Sequence, residues 1–260
     1  RRSIKVTEPV FMLGFPRSGT TLLETVLDTH PNIITLSEPQ TISMVINFLN
    51  KNFSSNYPHC LTQLTNEDID HLRKIYFDEV EKMSLDTTNV KCLIDKMPIN
   101  TIHLPLINIM FPEAKIILNI RHPLDVIYSC FQQQFAINNE MSFLISLKGC
   151  VERYKQVMNF FDEFSSMFTL NFITLKYEDF IDNMDNEYKS LLNFLSLPVD
   201  ESYKNFAEHA KSKVVNTSSK NQVSKPLYKS SMYKWTNYQD VLKPYFKDVE
   251  RFVKKYGYTL

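Results

Sequence analysis

Short apolar runs recur along the chain with amphipathic stretches between them: PVFML (9–13), NIITL (32–36), KCLI (91–94), KIILNI (115–120) and NFITL (171–175). Their near-continuous apolarity is what strands need when crossover helices cover both faces of a parallel sheet. The intervening stretches predict helices at 19–29, 41–49, 66–84, 100–111, 123–135, 141–166, 186–195, 201–211 and 239–256. Asn66, followed by Glu67 and Asp68, predicts a capped start with acidic residues at the positive end of its helix. Strands alternating with helices define an α/β chain with three layers and a central, mostly parallel five-stranded sheet. The polar, turn-rich segment NKNFSSNYPHCLTQLT (50–65) and the helix after it read as a helical insertion over 40–90, between the second and third strands.

The chain has 260 residues. A single domain over 1–260 is the default reading, and a domain of that length buries about 70–75% of its unfolded surface. Lys plus Arg balances Asp plus Glu at 29 each, which removes any global electrostatic case for nucleic acid or an anionic membrane as partner. Cys60, Cys92, Cys130 and Cys150 form no CxxC pair, so neither a zinc site nor a disulfide framework is indicated, and they read as reduced core residues. No apolar run approaches the roughly 20 residues that span a bilayer, and RRSIKVTEP has no signal-peptide core, so the chain as given reads as soluble. It starts without methionine, which leaves room for an upstream anchor, signal or domain.

The stretch FMLGFPRSGTTLLETVLDTHP (11–31) reads as strand, tight turn and helix, the frame of a phosphate-binding loop. Gly14 ends the strand and Gly19 opens the helix, so successive backbone N–H groups through Arg17, Ser18 and Gly19 can point into an anion. Thr20 and Thr21 add hydroxyls, and Arg17 adds a fork suited to a phosphate or sulfonate. Position 20 holds threonine where a nucleotide triphosphatase carries lysine. A β/γ-phosphate grip is therefore poorly supplied, and a donor without a triphosphate fits better. Asp95, at the end of the third run, keeps a Mg²⁺-dependent kinase open as an alternative. A bare strand-to-helix turn is the alternative for the loop itself.

With this loop, the blocks SEP (37–39), IDKMPIN (94–100), NIRHPLDVIYSCF (119–131), KYEDF (176–180) and TSSKNQVSKPLYKSSMYKW (217–235) resemble, in order, the sulfotransferases that use 3′-phosphoadenosine 5′-phosphosulfate (PAPS). The branch resembled contains tyrosylprotein sulfotransferases and bacterial enzymes found behind tetratricopeptide repeats. The resemblance implies a P-loop fold, PAPS as co-substrate, adenosine 3′,5′-bisphosphate as product, and no metal. It implies that Arg121 and Ser129 hold the 3′-phosphate, that Tyr177 contacts the nucleotide, and that Ser219, Gln222, Lys225, Lys234 and Trp235 belong to a mobile segment, 212–236, over the donor. Each assignment has a plainer reading: Arg121 paired with Asp125, Tyr177 in the core, and a solvated basic loop. Gln133 stands where tyrosylprotein sulfotransferases carry a second arginine; either Lys225 or Lys234 compensates, or the branch is the bacterial one, which is favoured.

Sulfuryl transfer needs an acceptor hydroxyl in line with sulfur, a base for its proton, and positive charge around the sulfonate and the leaving phosphate. Glu38, just past the second strand in LSEP, lies at the carboxyl edge where open α/β folds bind ligands, and is the expected base. Its alternative is a helix cap before Pro39. Lys96, Arg17 and Ser219 are expected to stabilise the developing charge, although Lys96 could instead pair with Asp95. His103 could reach the acceptor pocket; His59, His71 and His209 read as surface residues. The acceptor is a hydroxyl on a tyrosyl peptide, a sugar or a small alcohol, with the 40–90 insertion lining its site. A second copy of the chain and an upstream repeat domain are the other expected partners. The compartment stays open: cytoplasmic if bacterial, Golgi lumen if a truncated eukaryotic enzyme. A small-molecule kinase and an inactive nucleotide-binding scaffold remain the competing functions.

Overall fold

The computed structural model describes residues 6, 8–133, 142–212 and 231–260. Its five-stranded sheet consists of β1 (Val10–Gly14), β2 (Ile33–Ser37), β3 (Cys92–Lys96), β4 (Lys115–Ile120) and β5 (Asn171–Lys176), in the order β2-β3-β1-β4-β5. Every pairing is parallel, with Met12 beside Lys96, Gly14 beside Asn119, and Ser37 beside Lys96. This is the three-layer arrangement read from the apolar runs, with each strand displaced by two residues at most.

The unbroken apolarity of β1 has a direct cause in its alternation. Phe11 and Leu13 join one core with the helices α2 (Thr41–Asn52), α3 (Asn66–Lys82), α4 (Leu104–Met110), α5 (Pro123–Gln132) and α6 (Leu147–Met167). Val10 and Met12 join a second core with α1 (Thr20–Leu27) and α8 (Met184–Leu195), beyond the short α7 (Tyr177–Asp182), and with α9 (Phe206–Ser212). Both faces of the strand are dry, so neither can carry polar side chains. β5 departs from that expectation: it is one of the two edges of the sheet, and Phe172 on it is 40% exposed.

Helix boundaries moved where caps or prolines decide them. The cap of α3 is Thr65, not Asn66: the Thr65 hydroxyl accepts from the Asp68 amide and the Asp68 carboxylate accepts from the Thr65 amide. That reciprocal box satisfies two orphan donors, leaving Asn66 as the first helical residue. The 100–111 stretch splits into a 3₁₀ turn, Pro98–His103, and α4. The 239–256 stretch is interrupted by a 3₁₀ turn, Lys243–Tyr245, because Pro244 brings no N–H to the helical ladder. All four cysteines are buried thiols. Among the described residues no helix is long and apolar enough to cross a membrane.

Candidate active site

Every strand delivers a candidate residue to the carboxyl edge of the sheet. From β1 comes the loop to α1, and its glycines are fixed by close approach. Gly14 has φ +148°, and a Cβ there would sit 2.5 Å from the Asn119 carbonyl oxygen. Gly19 has φ +98°, and a Cβ there would sit 2.4 Å from the Tyr177 ring. Tyr177, the first residue after β5, thus forms a wall of the loop, while itself largely buried. Arg17 also has positive φ, at +73°. Thr101, on the turn after β3, accepts from the Gly14 amide at 3.0 Å and donates to the Gly14 carbonyl at 2.9 Å, clasping the end of β1. Ser18, Thr20 and Thr21 are buried beneath the loop.

Lys96 ends β3 and is fully buried, with its ammonium 3.0 Å from Glu38 Oε1 and 3.1 Å from Glu24 Oε2. Glu38 follows β2 at φ +51°, its amide donating to the Lys96 carbonyl at 2.8 Å, and its side chain is 45% exposed. The base candidate and the cationic candidate are therefore in contact. Asp95 is not the partner of Lys96. Neighbours on a strand face opposite sides, and the Asp95 carboxylate accepts from Thr41 at 2.7 Å and Tyr76 at 2.9 Å in the core. Burial pushes its carboxyl up to about 6, against the lowering pull of those donors and of Lys96.

Arg17 donates through Nε to the Ser129 hydroxyl on α5 at 3.1 Å. Arg121, just past β4, reaches the Arg17 carbonyl at 3.4 Å, the Ser231 carbonyl, and the Asp125 carboxylate at 3.6 Å, and lies over the Tyr177 ring at 4.7 Å. The Asp125 pair and the loop contact thus coexist. Asp125 also accepts from the Trp235 amide at 2.8 Å, and burial raises its carboxyl while Arg121 opposes that shift. His122 caps α5 through its ring, stacks on Trp235, and is held low chiefly by burial. Lys234 is exposed; its neighbours Ser231 and Trp235 are what reach the Arg121 corner. Ser219, Gln222 and Lys225 lie outside the described residues.

One of the flagged histidines differs from its reading. His209 is half-buried, 2.8 Å from Asp28, and so is not a plain surface residue, whereas His59 and His71 are exposed. His103 is hydrogen-bonded to the Tyr57 hydroxyl at 2.9 Å; burial first, then Arg153, pushes its ring down to about 4, so it is neutral at pH 7.

Glu24 and Thr101 were missed in the sequence. The signal for Glu24 was a lone charged residue in the otherwise uncharged helix TTLLETVL; Thr101 carried none. Two atoms bear on whether the site suits a polyanion. The Ser18 hydroxyl and the Arg121 Nε are buried with no hydrogen-bond partner among the described residues, and both can donate to phosphate or sulfonate oxygens. Arg17, Lys96 and Arg121 put three cations at the same edge, so the residues present fit such a group. Among the described residues no cluster of three or more His, Cys, Asp or Glu side chains is placed to hold a metal.

A glycine-bounded loop between strand and helix, three cations and a carboxylate thus gather at one edge of a parallel α/β sheet, the arrangement of a P-loop fold. The sequence model of the sulfotransferase family matches residues 9–201, and the chain belongs to that family. An uncharacterized protein of Aquifex aeolicus is 29% identical over 255 residues, covering 95% of this chain and 33% of its own length. Protein-tyrosine sulfotransferase A of Caenorhabditis elegans is 24% identical over 234 residues, covering 87% of this chain and 60% of its own length. The chain thus spans from a third to three fifths of these two relatives. Among solved structures, the sulfotransferase domain from the Synechococcus PCC 7002 olefin synthase superposes with TM-score 0.68 at 19% identity, covering 100% of this chain and 98% of that one. Mouse sulfotransferase SULT7A1, complexed with PAP, gives 0.58 at 16% identity, covering 98% and 91%.

Proposed function

We propose that the chain is a PAPS-dependent sulfotransferase that sulfates an acceptor hydroxyl, with Glu38 as base. The observation that carries this reading is the Glu38–Lys96 contact at the carboxyl edge of the sheet, beside a phosphate loop whose cation is Arg17. Bound there, PAPS supplies the sulfuryl group, whose bond to the phosphate oxygen breaks, the electron pair leaving on that oxygen, as the acceptor oxygen bonds to sulfur. Glu38 takes the acceptor proton. Lys96 and Arg17, with Ser219, stabilise charge on the sulfonate and the leaving oxygen, and the loop amides with Ser18, Thr20 and Thr21 hold the 5′-phosphate. Arg121 and Ser129 hold the 3′-phosphate, Tyr177 supports the nucleotide, and Gln222, Lys225 and Lys234 complete its surroundings. Residues 40–90 line the acceptor site, which takes a tyrosyl peptide, a sugar or a small alcohol. Asp95, bound to Thr41 and Tyr76, is poorly disposed for the Mg²⁺ role that a kinase requires.

Thermal shift with adenosine 3′,5′-bisphosphate against ATP, each with and without Mg²⁺, tests the donor. Stabilisation by the bisphosphate without metal is expected, and stabilisation by ATP–Mg²⁺ alone would replace this reading with the kinase. With radiolabelled PAPS and an acceptor panel, Glu38→Gln is expected to lose about 10²- to 10⁴-fold in turnover with bisphosphate binding retained. Wild-type turnover in that variant removes Glu38 as base.

A further inference from the structure

Lys96 carries two carboxylates, although the proposed transfer uses only one of them. The two differ in kind. Glu38 sits on a turn with its side chain 45% exposed, whereas Glu24 stands on α1 with its side chain 9% exposed. Glu24 is further fixed by the Ser37 hydroxyl, which donates at 3.3 Å to the same oxygen that meets Lys96. Among the described residues, the charged groups paired with Lys96 are Glu24 from α1 and Glu38 from the turn after β2; Asp95, its neighbour on β3, lies on the opposite face.

When Glu38 accepts a proton its charge is gone, and the ammonium loses that partner. A buried ammonium needs fixed partners to stay placed, and the sulfonate needs it at the moment Glu38 turns away. We propose that Glu24 is a positioning residue that holds the Lys96 ammonium in place while Glu38 is free to turn toward the acceptor and be protonated. The inference rests on the transfer reaction above. It also implies an opposed effect on binding: a second carboxylate beside a polyanion weakens donor binding, so Glu24 serves turnover rather than affinity.

Glu24→Gln tests this, since it keeps the shape and an oxygen for Lys96 but removes the charge. Its kcat is expected to fall at least about tenfold while the Kd for adenosine 3′,5′-bisphosphate stays equal or tightens. In unliganded protein labelled with ¹⁵N-lysine, the Lys96 ammonium protons are expected to exchange with solvent at least about tenfold faster in Glu24→Gln than in the wild type, because one of the two carboxylates that hold them is gone. That exchange needs neither donor nor acceptor, so it judges the Glu24–Lys96 contact even where the transfer assay fails and the proposed function falls. Glu24→Asp, which withdraws the carboxylate by one methylene, is expected to change the exchange by less and serves if the Gln variant does not fold. Unchanged Lys96 exchange, or loss of bisphosphate affinity in step with kcat, would overturn the proposal.

Discussion

At the residue scale, Asp95 and Lys96 show how one peptide bond separates two environments. Lys96 faces the site, while Asp95 is fully buried against Thr41 and Tyr76 with Oδ1 lacking a partner among the described residues. Its ordinary value is 3.8 and its folded value about 6. Between those values the folded chain holds a proton that the unfolded chain has released, so stability from this group is full below about pH 4, falls as pH rises toward 6, and is level above. The loss is of the order of 3 kcal/mol. Asp95→Asn removes the titration, so its stability relative to the wild type is expected to improve by about that amount between pH 4 and pH 7. Urea midpoints across the range check this, and a constant difference would show that burial does not govern the group.

At the element scale, the loop between β1 and α1 is shaped by what crowds it. Gly19→Ala meets the Tyr177 ring at 2.4 Å, a side chain that can be trimmed, whereas Gly14→Ala meets the Asn119 backbone oxygen at 2.5 Å. Both also force a side chain to positive φ, at a cost of about 1–3 kcal/mol each. Gly19→Ala is expected to lower stability and weaken binding of adenosine 3′,5′-bisphosphate at least about tenfold, and Tyr177→Ala is expected to restore part of the stability in that background. No side-chain truncation should rescue Gly14→Ala. Denaturation of the single and double variants, with calorimetric titration, measures both effects.

What the sequence could show of these elements follows from the range of the forces that set them. Strands β1 to β4 were legible because covering both faces forces an unbroken apolar run; exposed β5 was found from the same signal but not its edge position. The helix Tyr177–Asp182 was not legible, since six residues are too short to show a 3.6-residue period. Thr65 and Asn66 are both good caps by type, and only the reach of Asp68 back to Thr65 separates them. Glu38, Lys96, Arg17, Arg121 and Ser129 could be singled out because each sits at a strand end or in a motif. Glu24 was hidden, because its partner lies 72 positions away and a better-looking acid, Asp95, stood beside Lys96 in the chain.

At the scale of the whole molecule, the last described residues brace the edge that carries Arg121. The Tyr258 hydroxyl donates to Glu178 Oε2 at 2.6 Å, Glu178 Oε1 accepts from the His122 amide at 3.0 Å, and the His122 ring bonds the Thr259 carbonyl at 3.0 Å. Glu178 is buried on α7, so α7, the start of α5 and Tyr258 meet at one carboxylate, with Thr259 held by the adjoining His122 ring. Tyr258→Phe leaves Glu178 Oε2 without that donor in a dry setting, which costs about 1–3 kcal/mol. Because His122 follows Arg121 directly, loosening it also frees the guanidinium from its orientation over Tyr177. The expected result is a lowered urea midpoint together with weaker binding of adenosine 3′,5′-bisphosphate, and a smaller loss for adenosine 5′-phosphate, which lacks the 3′-phosphate proposed to sit on Arg121. Equal losses for the two nucleotides would show that the brace supports the sheet as a whole and not the Arg121 corner.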